Sequence, residues 1–126
     1  MIVGTGIDIV EVPRVRAARI RFGARFEQRV FTPAEIAYCR SKPNADERFA
    51  ARFAAKEAAL KALGTGWRGG IAWRDVEVQR APGGRPTVAF SGKAGEVAAR
   101  LGVVRASLSL SHTEGHAIAS VILESE

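Results

Sequence analysis

The chain has 126 residues, 47% of them hydrophobic, and nineteen Lys and Arg against thirteen Asp and Glu give it a formal charge of +6 at pH 7. That length suits one domain, residues 1–126, with a real core, and no run approaches the ~18 consecutive apolar residues that a membrane helix needs. The positive balance fits a phosphate-rich or acidic partner, whereas arginines scattered along the chain, with no stacking motif, zinc-finger spacing or basic tail, argue against nucleic acid.

The N-terminus shows no basic segment leading into an apolar one, and the lone Cys39 cannot form an internal disulfide, so a soluble protein of the cytoplasm is expected. Ile2 to Val10 reads as a buried strand, yet Asp8 interrupts it, and an ionised carboxylate among apolar residues is costly unless it meets a cation. A helix should run from about Pro13 to Phe22, with proline in its first turn and Gly23 at its end. Thr32-Pro33-Ala34-Glu35 has the capping-box pattern, which predicts a short helix to about Arg40. The strongest helix begins near Asn44 or Asp46, carries acids in its first turn and stops at Gly64. On it, Phe49, Phe53, Glu57 and Leu60 share one stripe, so Glu57 places a second charge in a core-facing row.

Beyond the glycine-rich segment Gly64 to Gly70, Val76 and Val78 alternate with polar residues, and Ala81 to Pro86 is a turn into Thr87 to Phe90, a β-hairpin signature. Ser91 can cap a helix to about Leu101, closed by Gly102. Val104 to Ser111 and Ala117 to Leu123 form a second hairpin around His112 to His116. Strands and helices mix without βαβ repetition, so the fold class is α+β, a small domain with antiparallel hairpins packed against a long helix.

Asp8 and Glu57 suit magnesium, which commonly takes one or two protein carboxylates and leaves its other positions to water and phosphates; the alternative is that each acid pairs with a buried arginine. Lys61, one turn beyond Glu57, could reach a phosphate oxygen, or form only an i,i+4 pair of about 0.2–0.5 kcal/mol. Arg52 and Lys56 occupy other faces of that helix, available to a phosphate or to solvent. His112, Glu114 and His116 spell a zinc-like H-x-E-x-H, but Gly115 and the turn composition argue against a regular strand there. Arg14 and Arg21 are seven residues apart with Ala18 between them on one face of the first helix, and Arg25 extends that patch.

The G-x-G-I-D-I opening, the R-F-A-A-K-E-A-x-x-K-A-x-G-T-G helix and the late S-L-S-H-T segment, which bracket almost the whole chain, resemble the small holo-[acyl-carrier-protein] synthases, the short class of 4′-phosphopantetheinyl transferases. The resemblance implies that Asp8 and Glu57 hold magnesium on the pyrophosphate of coenzyme A while a serine of apo-acyl carrier protein attacks the β-phosphate, with Glu57 or a metal-bound water as base. It implies substrate contacts from Lys61, from Gly64 and Gly66, and from His112, which is followed here by Thr113 where some relatives have aspartate; Arg52 and Lys56, on their own faces of the helix, could then meet the 3′-phosphate of coenzyme A. It also implies carrier docking on Arg14, Ala18, Arg21 and Arg25, and a homotrimer with sites between subunits. A noncatalytic anion-binding module and a metal-dependent hydrolase are the competing classes; the first gains nothing from two carboxylates beside phosphates.

Overall fold

The computed structural model describes residues 1–126. In chain order its elements are β1 (Ile2–Glu11), α1 (Val12–Phe22), α2 (Ala24–Val30), α3 (Pro33–Arg40), α4 (Ala45–Leu63), a 3-10 turn at Trp73–Asp75, β2 (Val76–Arg80), β3 (Pro86–Phe90), α5 (Gly92–Arg100), β4 (Arg105–His112) and β5 (His116–Glu124). The strands form an antiparallel sheet in the order β1-β5-β4 and a separate β2-β3 hairpin. The class is α+β, as expected.

The capping box at α3 is present in full: Thr32 Oγ1 accepts from the Glu35 amide at 3.3 Å, and Glu35 Oε1 accepts from the Thr32 amide at 2.8 Å. Helix α2 was not anticipated. Gly23 breaks the chain at φ 56° and a new helix starts at once, so Arg25 stands on a different element from Arg14 and Arg21. Ser91 precedes α5, but its side chain makes no cap; its amide instead donates to the Asp75 carbonyl at 2.8 Å.

Helix α4 is the centre of the molecule. Phe49, Leu60, Leu63 and a run of alanines on it are buried on almost every side, so its apolar surface is not the single stripe that the periodicity suggested. It lies on the β1-β5-β4 sheet, and the contact with β1 is made through glycine. A Cβ added at Gly6 would fall on the Ala58 carbonyl oxygen, and one at Gly4 on that of Ala62. Alanines on the helix and glycines on the strand therefore let two backbones approach more closely than any larger residues would permit.

Strand β1 is covered on that face only, which corrects the expectation of a fully buried strand. Ile7 and Ile9 are 59% and 64% exposed on the opposite face, beside Ile118 and Ile122 at 37% each. The register pairs Ile9 with Ile118, Ile7 with Ser120 and Thr5 with Ile122, so the four isoleucines share one exposed face with Thr5 and Ser120 among them.

Candidate active site

The glycine row of β1 ends in Asp8, which points the same way as Gly4 and Gly6 by strand alternation. It meets α4 one turn above the close contact. Lys61 Nζ donates to Asp8 Oδ1 at 2.9 Å and to the Ile7 carbonyl at 3.0 Å. Glu57 lies one turn earlier on the helix. Burial pushes its carboxyl above the usual range, the charge on Asp8 raises it further, and the Trp67 indole and Lys61 pull it back. Two acids 49 positions apart in the sequence thus come close enough for one to raise the pKa of the other, with Lys61 bonded to the first. Asp8 and Glu57 open into a cavity of about 670 Å³ that also receives Glu11, Arg14, Ala18 and His116.

Could Asp8 and Glu57 hold a metal? Two hard oxygen donors, with burial and the charge on Asp8 resisting ionisation of Glu57, suit a divalent cation that keeps water and phosphate as its other ligands. No cluster of three or more His, Cys, Asp and Glu with metal-binding geometry is formed, so His112, Glu114 and His116 do not converge as a zinc site would require.

The expected phosphate ligands divide. Lys61 joins the two acids. Lys56 does not: it is fully buried and forms an ion pair of 2.8 Å with the equally buried Glu35, donating also to the carbonyls of Trp73 and Val76. Burial lowers the Lys56 pKa and the Glu35 charge opposes that shift. Glu35 Oε2 accepts from the Val78 amide at 2.7 Å. The expectation of a phosphate contact at Lys56 is thereby corrected, because every donor direction is turned into the protein and the pair ties α3, α4 and β2 together; removing one partner of such a pair costs about 3–5 kcal/mol.

Arg52 is also buried rather than solvated, with its guanidinium 4.2 Å from the centre of the Tyr38 ring and its Nε without a partner. It lines a hollow with Tyr38 and Arg80 on the far side of α4 from Asp8. Gly64 caps α4 in the left-handed conformation at φ 81°. Gly66, at φ 57°, has open space where a side chain would be, so its position in the glycine loop leaves the backbone approachable.

His112 stands apart from the acids. Asp8 is opposite Ala119, which is opposite Leu110, whereas His112 is opposite Ala117 in the row of Val10. Two strands and two residues separate His112 from Asp8, on the order of 10 Å. One chain therefore presents two groups of polar residues: Asp8, Glu57 and Lys61 in one, and Arg52 with His112 outside it.

Arg14, Arg21 and Arg25 are exposed. Arg16 and Arg19 on the same helix are not free, since both bind Asp46 and Arg19 also binds Glu27. Of the residues now at the cavity, Glu11 and His116 were not anticipated as neighbours of Asp8. Their only sequence signal is cross-strand register, which appears once β1 is known to pair with β5.

A family model for the 4′-phosphopantetheinyl transferase superfamily matches residues 4–121. The chain belongs to that superfamily. It is 68% identical over 124 residues to the holo-[acyl-carrier-protein] synthase of Koribacter versatilis, covering 98% of this chain and 99% of that one, and 51% identical to the enzyme of the same name from Solibacter usitatus over the same shares. Among solved structures, the holo-[acyl-carrier-protein] synthase of Neisseria meningitidis superposes with a TM-score of 0.89 at 35% identity, covering 98% of this chain and 99% of that one. The Helicobacter pylori enzyme in complex with coenzyme A gives 0.83 at 32% identity, covering 95% and 99%.

Glu57 sits in a setting that disfavours its charge. A carboxyl whose pKa is raised by folding binds more protons folded than unfolded between its two pKa values, so stability falls as pH rises through that window. Glu57→Gln should therefore melt on the order of a few degrees above wild type at pH 7 in chelator, with the gap closing once pH falls below the usual carboxylate range. Calorimetry between pH 4 and 8 checks this; a less stable variant at pH 7 would make Glu57 a structural partner.

Proposed function

We propose that this protein is a holo-[acyl-carrier-protein] synthase. It transfers 4′-phosphopantetheine from coenzyme A to a serine of apo-acyl carrier protein, releases adenosine 3′,5′-bisphosphate, and serves fatty-acid or polyketide synthesis in the cytoplasm. The observation that carries this reading is the meeting of Asp8 from β1 and Glu57 from α4 at one cavity rim, with Lys61 bonded to Asp8, in a chain so close to synthases of that name. No helix is long and apolar enough to cross a membrane.

Asp8 and Glu57 are the residues that would hold magnesium. When bound there, the ion would neutralise charge on the pyrophosphate, which is most of what phosphoryl transfer asks of a protein besides positioning. Lys61 then has a phosphate oxygen to bind in place of Asp8. Glu57, or a water bound to the ion, is the group we assign to take the serine proton. Arg52, at the hollow it lines with Tyr38 and Arg80, is the arginine for the 3′-phosphate, and Gly64 and Gly66 supply a backbone open to the nucleotide.

Incubation with coenzyme A and magnesium, with and without an apo-carrier protein, followed by weighing the carrier, tests the reading. A carrier heavier by one phosphopantetheine supports it, while coenzyme A cleaved without a carrier would indicate a hydrolase, and binding without either would indicate a module. Asp8→Ala and Glu57→Ala should each slow transfer by about a hundredfold or more while staying folded, the scale of losing a principal electrostatic contact in a transition state.

The exposed Arg14 and Arg21, with Ala18 between them and Arg25 nearby, are the surface for an acidic carrier. Reversing both charges with Arg14→Glu and Arg21→Glu should cut the carrier association rate at low salt by at least about tenfold and flatten its salt dependence, leaving coenzyme A affinity unchanged. Unaltered carrier kinetics at low salt would move the docking site elsewhere.

The separation of Arg52 and His112 from Asp8 within one chain, and the bare isoleucine face of β1 and β5, favour a homotrimer whose sites join residues of adjacent subunits, the Gly83-Gly84-Arg85-Pro86 turn among them. Sedimentation equilibrium should give three times the 13.5 kDa of one chain. A fully active monomer would refute the assembly.

A further inference from the structure

His112 closes β4, and its ring is fastened to α4: Nδ1 lies 2.8 Å from Oε1 of Glu47 in the first turn of that helix. The two side chains are 23% and 20% exposed, so this contact is largely withdrawn from water. A carboxylate oxygen only accepts, which puts the hydrogen of this bond on Nδ1. A neutral ring holding its one hydrogen there offers Nε2 as a lone pair, and a lone pair repels a phosphate oxygen. Nε2 becomes a donor only when the ring takes a second proton.

Nothing else charged competes for the ring. The residue opposite on β5 is Ala117, and the strand β3 beside β4 carries no ionisable side chain. On α4, Asp46 is engaged by Arg16 and Arg19, and Arg48 donates to Asn44. Arg52 is turned to Tyr38, and Lys56 to Glu35. Glu114 and His116 lie at the exposed turn that follows His112.

We propose that Glu47 is a positioning residue that makes His112 a phosphate-binding imidazolium. It holds the ring through Nδ1–H, and the arrival of a coenzyme A phosphate at Nε2 is accompanied by uptake of one proton from solvent onto that nitrogen; no covalent bond other than N–H is formed. The product is a cation held between two anions, phosphate on one side and carboxylate on the other. The inference rests on the transferase reading, in which His112 meets coenzyme A.

The test is the nitrogen spectrum of the histidine ring in ¹⁵N-histidine-labelled protein with magnesium at pH 7.5, with His112 told from His116 by the signal missing in His112→Gln. In the free protein Nδ1 should appear as the protonated nitrogen, and with saturating coenzyme A both nitrogens should. Glu47→Gln keeps an oxygen acceptor but no charge. In it, the ring should stay neutral when coenzyme A binds, and the dissociation constant should rise by about tenfold, the scale of one charge-assisted hydrogen bond. An Nε2–H tautomer in the free wild type overturns the proposal, as does a ring that stays neutral with coenzyme A bound; both are read on wild-type protein, and should His112→Gln not fold, His116→Gln at the exposed turn supplies the same assignment. Wild-type protein that fails to bind coenzyme A would instead bring down the transferase reading itself, and this inference with it.

Discussion

The closeness of α4 to β1 is the constraint on which the rest of the structure depends. It exists because Gly4 and Gly6 present no Cβ to the Ala58 and Ala62 carbonyls. Any side chain at Gly6 would lift the helix from the sheet, and with it Glu57 and Lys61 from Asp8. The G-x-G-x-D pattern is thus one device: two residues that allow the approach, then a third on the same face that exploits it. Small residues continue on the other side of the contact, where alanines fill most of the buried surface of α4. The cost is a core with few large side chains, held together by closeness rather than bulk.

The charges are sorted by the same packing. Glu35 and Lys56 are buried and saturated: Glu35 caps α3, pairs with Lys56 and accepts from β2, so a helix end, the central helix and a hairpin are joined at one carboxyl. Glu27 performs a similar task between Arg19 and Arg40. Apart from the buried Nε of Arg52, the charges not absorbed in such pairs lie at surfaces and at the cavity. Glu57 is held above its usual pKa, Asp8 and Lys61 satisfy each other, and Arg14 and Arg21 have no acidic partner. Cys39, by contrast, is pushed up to about 12 by burial and is chemically inert at neutral pH.

Much of this was legible in the sequence, and the part that was not has a common cause. Turn and cap chemistry is local, so Thr32 with Glu35, Gly64 and the Ala81–Pro86 turn marked their elements well. The interruptions by Asp8 and Glu57 were legible too, because a charge in an apolar row is an anomaly on any single element. The fates of Arg52 and Lys56 were not. On a helix buried nearly all round, periodicity no longer separates inside from outside, and Lys56 is taken inward by an acid on another helix. Helix α2 was missed because Gly23 reads as an end, whereas here it is a hinge between two helices. Glu47 looked like an ordinary first-turn acid; its partner His112 is 65 residues away, and only the sheet's register brings them together.

These positions also bear on the proposed assembly. Helix α4 has its acids and Lys61 toward β1 and its Arg52 toward Tyr38, so the two groups leave the helix on different sides. In the proposed assembly an adjacent copy would bring the second group to the first. The exposed isoleucines of β1 and β5 fit that solution. They lie on the face opposite α4, so burying them against another copy would not disturb the glycine contact that sets the carboxylates in place. Assembly and catalysis would then use opposite faces of one strand, with odd residues joining subunits and even residues holding the helix and the metal ligand.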